Sequence, residues 1–231
     1  MDLGPYFAVE RHPAHAGPGP GWWSLHDLTG ALLEERVEAV RAALAGLGNR
    51  AVDDVPVRVA GSVLHLGLAA RLVSPVLGAA TLTGVAPRLD PETWWWQPVL
   101  GGPVPVSLAD GPDVPVAEAV TAVLTGPLEV LREALATRPV PGNVPSTVLR
   151  GNVASAVNGA YGQVVARRPD LEPAARAVAA RFLAHPGLAG TGTGECGPEF
   201  RRRSCCLIYR LAPGGAAVRG RAAYCGDCVL R

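Results

Sequence analysis

Apolar positions recur at helical intervals through most of the chain, and this pattern predicts a mainly helical fold. Ser24 and Asp27 have the spacing of a capping box, and an amphipathic run follows them: Leu32, Leu33, Val37, Val40 and Leu44. We expect further helices at 57–72, from Pro75 onward, at 116–125, 128–137, 146–167 and 173–184. Pro75 is expected to begin a new helix, because proline is favoured in a first turn.

The pattern changes between Leu89 and Asp110. Two short aromatic or β-branched runs, TWWWQPVL and VPVSL, are joined by Gly101, Gly102 and Pro103, which predicts a small hairpin. We find no internal repeat and no long linker in the chain. The sequence therefore predicts a single domain, 1–231, of mainly α class in the α+β sense: a helical scaffold with a small β-hairpin or sheet element and a C-terminal cysteine-rich segment.

Composition and charge narrow the function classes. The chain of 231 residues is 48% hydrophobic, so it can bury a core without a metal. A net charge of +1 argues against a nucleic-acid partner. The N-terminal MDLGPYFAVE lacks the features of a secretory signal, and the apolar stretch 63–82 contains His65, Arg71 and Pro75, which are costly in a bilayer. We expect a cytoplasmic protein without a transmembrane segment; a peripheral position at the inner face of the membrane stays open.

Four of the five cysteines lie close together near the C-terminus. Cys225 and Cys228 bracket Gly226 and Asp227 in a C-x-x-C knuckle, and Cys205 and Cys206 form a second pair. A strand over 207–211, a turn beginning at 213 and a returning strand over 222–224 would bring the two pairs together. In a reducing compartment such cysteines are metal ligands or free thiols rather than disulfides.

Four thiolates without a histidine suit either Zn²⁺ or an iron–sulfur cluster. Two adjacent cysteines serve a single ion awkwardly, because successive side chains diverge, whereas a two-iron centre divides its ligands between two metals. The spacing favours a cluster and leaves zinc as an alternative. Cys196 is not needed for a complete ligand set.

The segments RRRSCCLIYR and YCGDCVL resemble the C-terminal motif of FhuF-like ferric-siderophore reductases. This resemblance implies a [2Fe–2S] cluster with Cys205, Cys206, Cys225 and Cys228 as its ligands. It also implies a mostly helical scaffold over 1–190 and a cluster-binding segment over 191–231. The eighteen residues between the two cysteine pairs exceed the family's usual spacing. The extra length falls in LAPGGAAVRGRA, where a longer loop costs little closure entropy.

The resemblance further implies an oxidoreductase that acts on metal ions, reducing the ferric iron of a siderophore to the ferrous state by one-electron transfer. No catalytic residue is expected beyond the cluster. A protein such as a ferredoxin would supply the electrons, and Arg201, Arg202 and Arg203 would help to dock the donor or the ferric siderophore. The alternatives are a [2Fe–2S] electron carrier or redox sensor without a siderophore substrate, and a zinc-stabilised binding module.

Overall fold

The computed structural model describes residues 2–28, 30–139, 142–212 and 224–230. The chain is 53% helical with small sheets, which confirms the mainly helical class predicted from the sequence. The helices are α1 (Gly30–Leu47), α2 (Val57–Thr83), α3 (Val116–Thr125), α4 (Pro127–Ala136), α5 (Ser146–Arg167) and α6 (Glu172–Ala184). The strands are β1 (Glu10–His12), β2 (Trp23–Ser24), β3 (Val85–Pro87), β4 (Trp94–Trp96), β5 (Val106–Ala109), β6 (Asp113–Pro115), β7 (Gly192–Thr193) and β8 (Arg201–Arg202).

Helix α2 is the centre of the fold, and α1, α4, α5 and α6 all pack against it. The prediction of two helices, the second beginning at Pro75, is wrong: α2 is continuous over Val57–Thr83 and Pro75 lies inside it. Proline removes one backbone hydrogen bond from a helix. Here the residues around Pro75 are buried, so packing on several faces outweighs that loss.

The same helix is the only described one that is long and apolar enough to cross a membrane by length and composition. Its most apolar window is 72% buried by the rest of the protein, as in the core helix of a globular fold. Arg71 interrupts this apolar helix, and its guanidinium donates to the carbonyls of Ala8 and Val104, both at 2.7 Å. Burial lowers the pKa of Arg71 to about 10.

The hairpin predicted between 89 and 110 is present as β4 and β5, which pair antiparallel with Trp95 opposite Ser107. It belongs to a larger sheet of order β1-β5-β4-β2, in which β1 runs parallel to β5. Trp94 and Trp96 are fully buried, so one face of the sheet contributes to the main core.

The expected capping box forms, but it caps a 3₁₀ turn over Leu25–Asp27, and α1 begins only at Gly30. The side chain of Ser24 accepts a hydrogen bond from the backbone of Asp27, and the Asp27 carboxylate accepts one from the backbone of Ser24 at 2.7 Å. Helices α3 to α6 agree with the predicted ranges to within one residue at each end. Helix α5 packs extensively against α2, and this pair contacts the segment that carries the first cysteine pair.

Candidate metal centre

Strands β7 and β8 pair antiparallel, and the first cysteine pair follows shortly after β8. Gly192 pairs with Arg202 and Thr193 with Arg201. Beyond β8 the chain reaches Cys205 and Cys206 and then forms a 3₁₀ helix over Ile208–Leu211. The strand predicted for 207–211 is therefore wrong. The predicted turn from 213 and the returning residues 222 and 223 lie outside the described residues.

The two cysteine pairs meet in the structure. The Sγ atoms of Cys206 and Cys225 lie 3.6 Å apart. Two sulfurs bound to one metal at about 2.3 Å in a tetrahedral arrangement are about 3.8 Å apart, so this separation fits two ligands of one ion. Cys205 interacts electrostatically with both Cys206 and Cys228, which places the fourth sulfur in the same group.

Each of the four sulfurs accepts a hydrogen bond from nitrogen. The backbone amide of Leu207 donates to Cys205 at 3.3 Å, and that of Leu230 donates to Cys228 at 3.4 Å. The amide of Ile208 serves Cys206. Arg202 Nη2 donates to Cys225 at 2.8 Å. Hydrogen bonds of this kind stabilise the negative charge of cluster sulfurs.

Arg202 is the electrostatic centre of the site. It is 1% exposed and, besides Cys225, its guanidinium reaches Asn152 Oδ1 on α5 at 2.8 Å. Asn152 donates in turn to the carbonyl and hydroxyl oxygens of Ser62, at 3.0 and 3.1 Å. The Ser62 hydroxyl donates to the carbonyl of Cys206 at 2.9 Å. This chain of hydrogen bonds joins α2 and α5 to both cysteine pairs.

The charge and donors around Cys206 favour its thiolate. Hydrogen bonds from the thiols of Cys205 and Cys225, together with the positive charge of Arg202, hold the pKa of Cys206 well below its ordinary value. The thiolate at Cys206 is thus stabilised before any metal is considered, and thiolate is the form that binds iron.

Asp227 holds the C-x-x-C knuckle on α5. Its carboxylate accepts hydrogen bonds from Ser155 and from Asn158, the latter at 2.9 Å. The amide of Arg202 donates to the backbone carbonyl of Asp227 at 3.0 Å, so β8 and the knuckle are also joined directly. Within the knuckle, the amide of Cys228 donates to the carbonyl of Cys225 at 3.2 Å and closes the turn.

Gly151 allows the cysteine segment to approach α5 closely. A Cβ atom at this position would overlap Ser204 Oγ. The Ser204 hydroxyl is buried and has no hydrogen-bond partner in the described part of the chain. A buried hydroxyl directly before Cys205 needs an acceptor, and a sulfur of a bound cluster could supply one. The unpaired hydroxyl of Ser204 is therefore an independent indication that this site binds a non-protein group.

The spacing of the sulfurs bears on whether the site would hold one metal ion or two. Among the residues that the structure describes, no group of three or more His, Cys, Asp or Glu side chains is arranged to hold one ion. A centre with two metals divides its ligands, so it needs only pairs of close sulfurs such as Cys206 and Cys225.

Residues 202–230 match a family model described as the FhuF 2Fe-2S C-terminal domain. The C-terminal segment is thus similar to the cluster-binding domain of FhuF proteins. The resemblance predicted from the cysteine motif is thereby confirmed, and so is its cofactor, a [2Fe–2S] cluster. The residues before 202 lie outside the match. Comparisons with curated proteins and with solved structures found no significant match.

The three arginines predicted to dock a partner have different surroundings. Arg202 is buried, so its side chain supports the cysteines and does not form part of a docking surface. Arg201 is partly exposed and donates to the carbonyl of Pro198 at 2.6 Å, while Arg203 is exposed. A docking role for Arg201 and Arg203 stays a prediction.

Cys196 is chemically distinct from the four clustered cysteines. It is buried near the main core, and burial raises the pKa of its thiol to about 12, so the thiol is neutral at physiological pH. We continue to expect that it does not bind the cluster.

Several supporting residues were missed in the sequence. The cysteine motif alone does not identify Ser62, Ser155, Asn158 and Asp227 as supports of the cysteine segment. A signal for three residues on α5 was present, because Asn152, Ser155 and Asn158 recur at every third position in the central part of the helix. That spacing places polar groups along one side of a helix, which indicates a polar surface to be covered.

Proposed function

We propose that this protein reduces the ferric iron of a siderophore in the cytoplasm by passing one electron from its [2Fe–2S] cluster. Cys205, Cys206, Cys225 and Cys228 hold the cluster in this proposal. The observation that carries it is the match of residues 202–230 to the FhuF 2Fe-2S domain, together with four sulfurs gathered in one place, each with a nitrogen donor.

The electron balance is simple. The cluster held by the four cysteines would supply one electron, and that electron would reduce the siderophore-bound Fe³⁺ to Fe²⁺. A separate electron-transfer protein, such as a ferredoxin, restores the reduced cluster. Siderophores hold Fe³⁺ through charged oxygens, and the lower charge of Fe²⁺ weakens that grip, so reduction releases the metal.

The chain's own residues have three tasks in this reaction. The network through Arg202, Asn152 and Ser62 holds the cysteine segment in place. The positive charge of Arg202 favours the reduced, more negative cluster. The exposed charge of Arg203 and the partly exposed Arg201 would attract an anionic ferric complex or an acidic donor protein.

A direct test mixes anaerobically reduced protein with a ferric siderophore while the visible absorption of the cluster and the appearance of Fe²⁺ are followed together. We expect reoxidation of the cluster to match the Fe²⁺ formed, one for one. A cluster that stays reduced in the presence of ferric siderophores of differing charge would refute the reductase function and favour an electron carrier or redox sensor.

Variants sharpen the same test. Replacing any one of the four proposed ligands with serine should abolish or severely weaken the cluster spectrum. Cys196→Ser is the matched control and should retain the full spectrum. If Cys196→Ser loses the colour instead, the assignment of ligands is wrong.

A further inference from the structure

A cavity lies on the side of α5 that is opposite to the cysteine segment. It encloses about 280 Å³ and is lined by residues of α2, α3, α4 and α5 and of the loop after α6. The α5 residues that line the cavity are Leu149, Arg150 and Val153. Gly151 and Ser155, on the same helix, contact the cysteine segment instead. At 100° per residue these two sets occupy opposite faces of the helix, so the cavity is separate from the metal centre.

The cavity contains a buried histidine for which the described part of the chain supplies no hydrogen-bond partner. His65 is fully buried and lines the cavity, and neither Nδ1 nor Nε2 has a hydrogen-bond partner among the described residues. Burial lowers the pKa of His65 to about 3, so the ring is neutral and offers one N–H donor and one acceptor. A buried polar group of this kind costs stability unless something binds it.

The remaining lining indicates what the occupant would be. The walls include Leu124, Leu128 and Leu149, which suit an apolar body. The rim carries two arginines and one carboxylate. Arg132 is paired with Glu129. Arg150 attracts Glu129 electrostatically and donates to the backbone carbonyls of Pro186 and Gly187, but it forms no close ion pair with a described residue, so the rim has a net positive charge. The volume is near the lower end of ligand pockets, which run from roughly 300 to 1,000 Å³.

We propose that this cavity binds a small organic anion with a carboxylate at one end and a hydroxyl at the other. The carboxylate meets Arg150 at the rim, the apolar body lies against the leucines, and the hydroxyl forms a hydrogen bond with His65. The proposal does not depend on the redox function, because none of the cysteines lines the cavity.

Three probes of nearly equal size separate the contribution of the carboxylate from that of the hydroxyl. They are 4-hydroxybenzoate, benzoate and 4-hydroxybenzamide. Binding to the cluster-loaded protein is measured by calorimetry. We expect 4-hydroxybenzoate to bind about tenfold more tightly than benzoate, because benzoate leaves His65 without a partner. The uncharged 4-hydroxybenzamide should also bind about tenfold more weakly than 4-hydroxybenzoate. Added salt should weaken the binding of 4-hydroxybenzoate and benzoate, because both carry a charge.

The variant His65→Leu removes the polar group and keeps an apolar side chain. It should bind 4-hydroxybenzoate and benzoate with affinities within about twofold of each other. Its melting temperature should equal or exceed that of the native protein, since a buried group without a partner has been removed. His15→Leu, at an exposed histidine, should leave the order of the three probes unchanged.

Two results would overturn the proposal. One is that none of the probes binds the native protein at millimolar concentration, or that all three bind equally. The other is that His65→Leu keeps the preference for the hydroxyl, which would place the ligand elsewhere. If His65→Leu does not fold, the order of affinities in the native protein decides the question alone.

Discussion

Replacing Arg202 with methionine removes a buried positive charge while keeping a long apolar side chain. The closest nitrogen of Arg202 lies 2.8 Å from Cys225 Sγ. Both the guanidinium charge and the electron on a cluster are spread over several atoms, so we take about 5 Å between charge centres. With an effective dielectric constant of about 20, Coulomb's law gives about 3 kcal/mol of stabilisation for the reduced state.

Relaxation and water near the cysteine segment reduce this value, so we expect a loss of about 1–3 kcal/mol. A tenfold change in a one-electron equilibrium corresponds to about 59 mV and to about 1.4 kcal/mol. The midpoint potential of Arg202→Met should therefore be lower than that of the native protein by about 40–130 mV. Arg202→Lys, which keeps the charge but loses the planar fork, should fall in between.

The assay is a redox titration of the visible spectrum under anaerobic conditions, with cluster content measured in the same samples. Arg203→Met is the matched control, because Arg203 is exposed beside the same strand, and its potential should change far less. The reasoning is refuted if Arg202→Met binds a full cluster and its potential is unchanged, or if the exposed control shifts as much.

Three further predictions concern the surroundings of the cluster. Ser204→Ala should lower the midpoint potential without lowering the stability of the cluster-free protein, because the hydroxyl has no partner among the described residues; a potential equal to that of the native protein would contradict this. Gly151→Ala should destabilise the protein by about 1–3 kcal/mol in chemical unfolding, because its Cβ overlaps Ser204 Oγ, and adding Ser204→Gly should restore most of the loss. Burial raises the pKa of Cys196 to about 12 from its ordinary value of 9.0, so the unfolded chain loses this proton first and stability should fall between about pH 9 and 12. In Cys196→Ala the free energy of unfolding should fall less steeply over that pH range than in the native protein. Equal slopes in the two proteins would refute the raised pKa of Cys196.

Much of the scaffold could be predicted from local pattern. The helices after Pro115 and the hairpin of β4 and β5 follow directly from apolar spacing and turn residues. The break expected at Pro75 is not present. A proline is a local signal, whereas α2 is held as one continuous helix by neighbours from distant parts of the sequence.

The grouping of the four cysteines could be predicted from the sequence, but the residues that hold them in place could not. The motif indicates which sulfurs act together, and the structure brings them to the same place. The burial of Arg202 could not be predicted from RRRSCC. Three consecutive arginines look alike in sequence, and of these three only Arg202 is buried, with a hydrogen bond to Asn152 on α5. The strand expected at 207–211 failed for a related reason. Leu207 adopts a positive φ of 71°, which turns the chain so that the backbone amides after the cysteine pair reach the sulfurs.

The most direct measurement is the content of iron, acid-labile sulfide and zinc in anaerobically purified protein, for the native chain and for Cys206→Ser. The account predicts two irons and two sulfides per native chain, as in the FhuF 2Fe-2S domain, and loss of both in the variant. A native protein that contains zinc without labile sulfide, or a variant that keeps its full iron and sulfide, would contradict it.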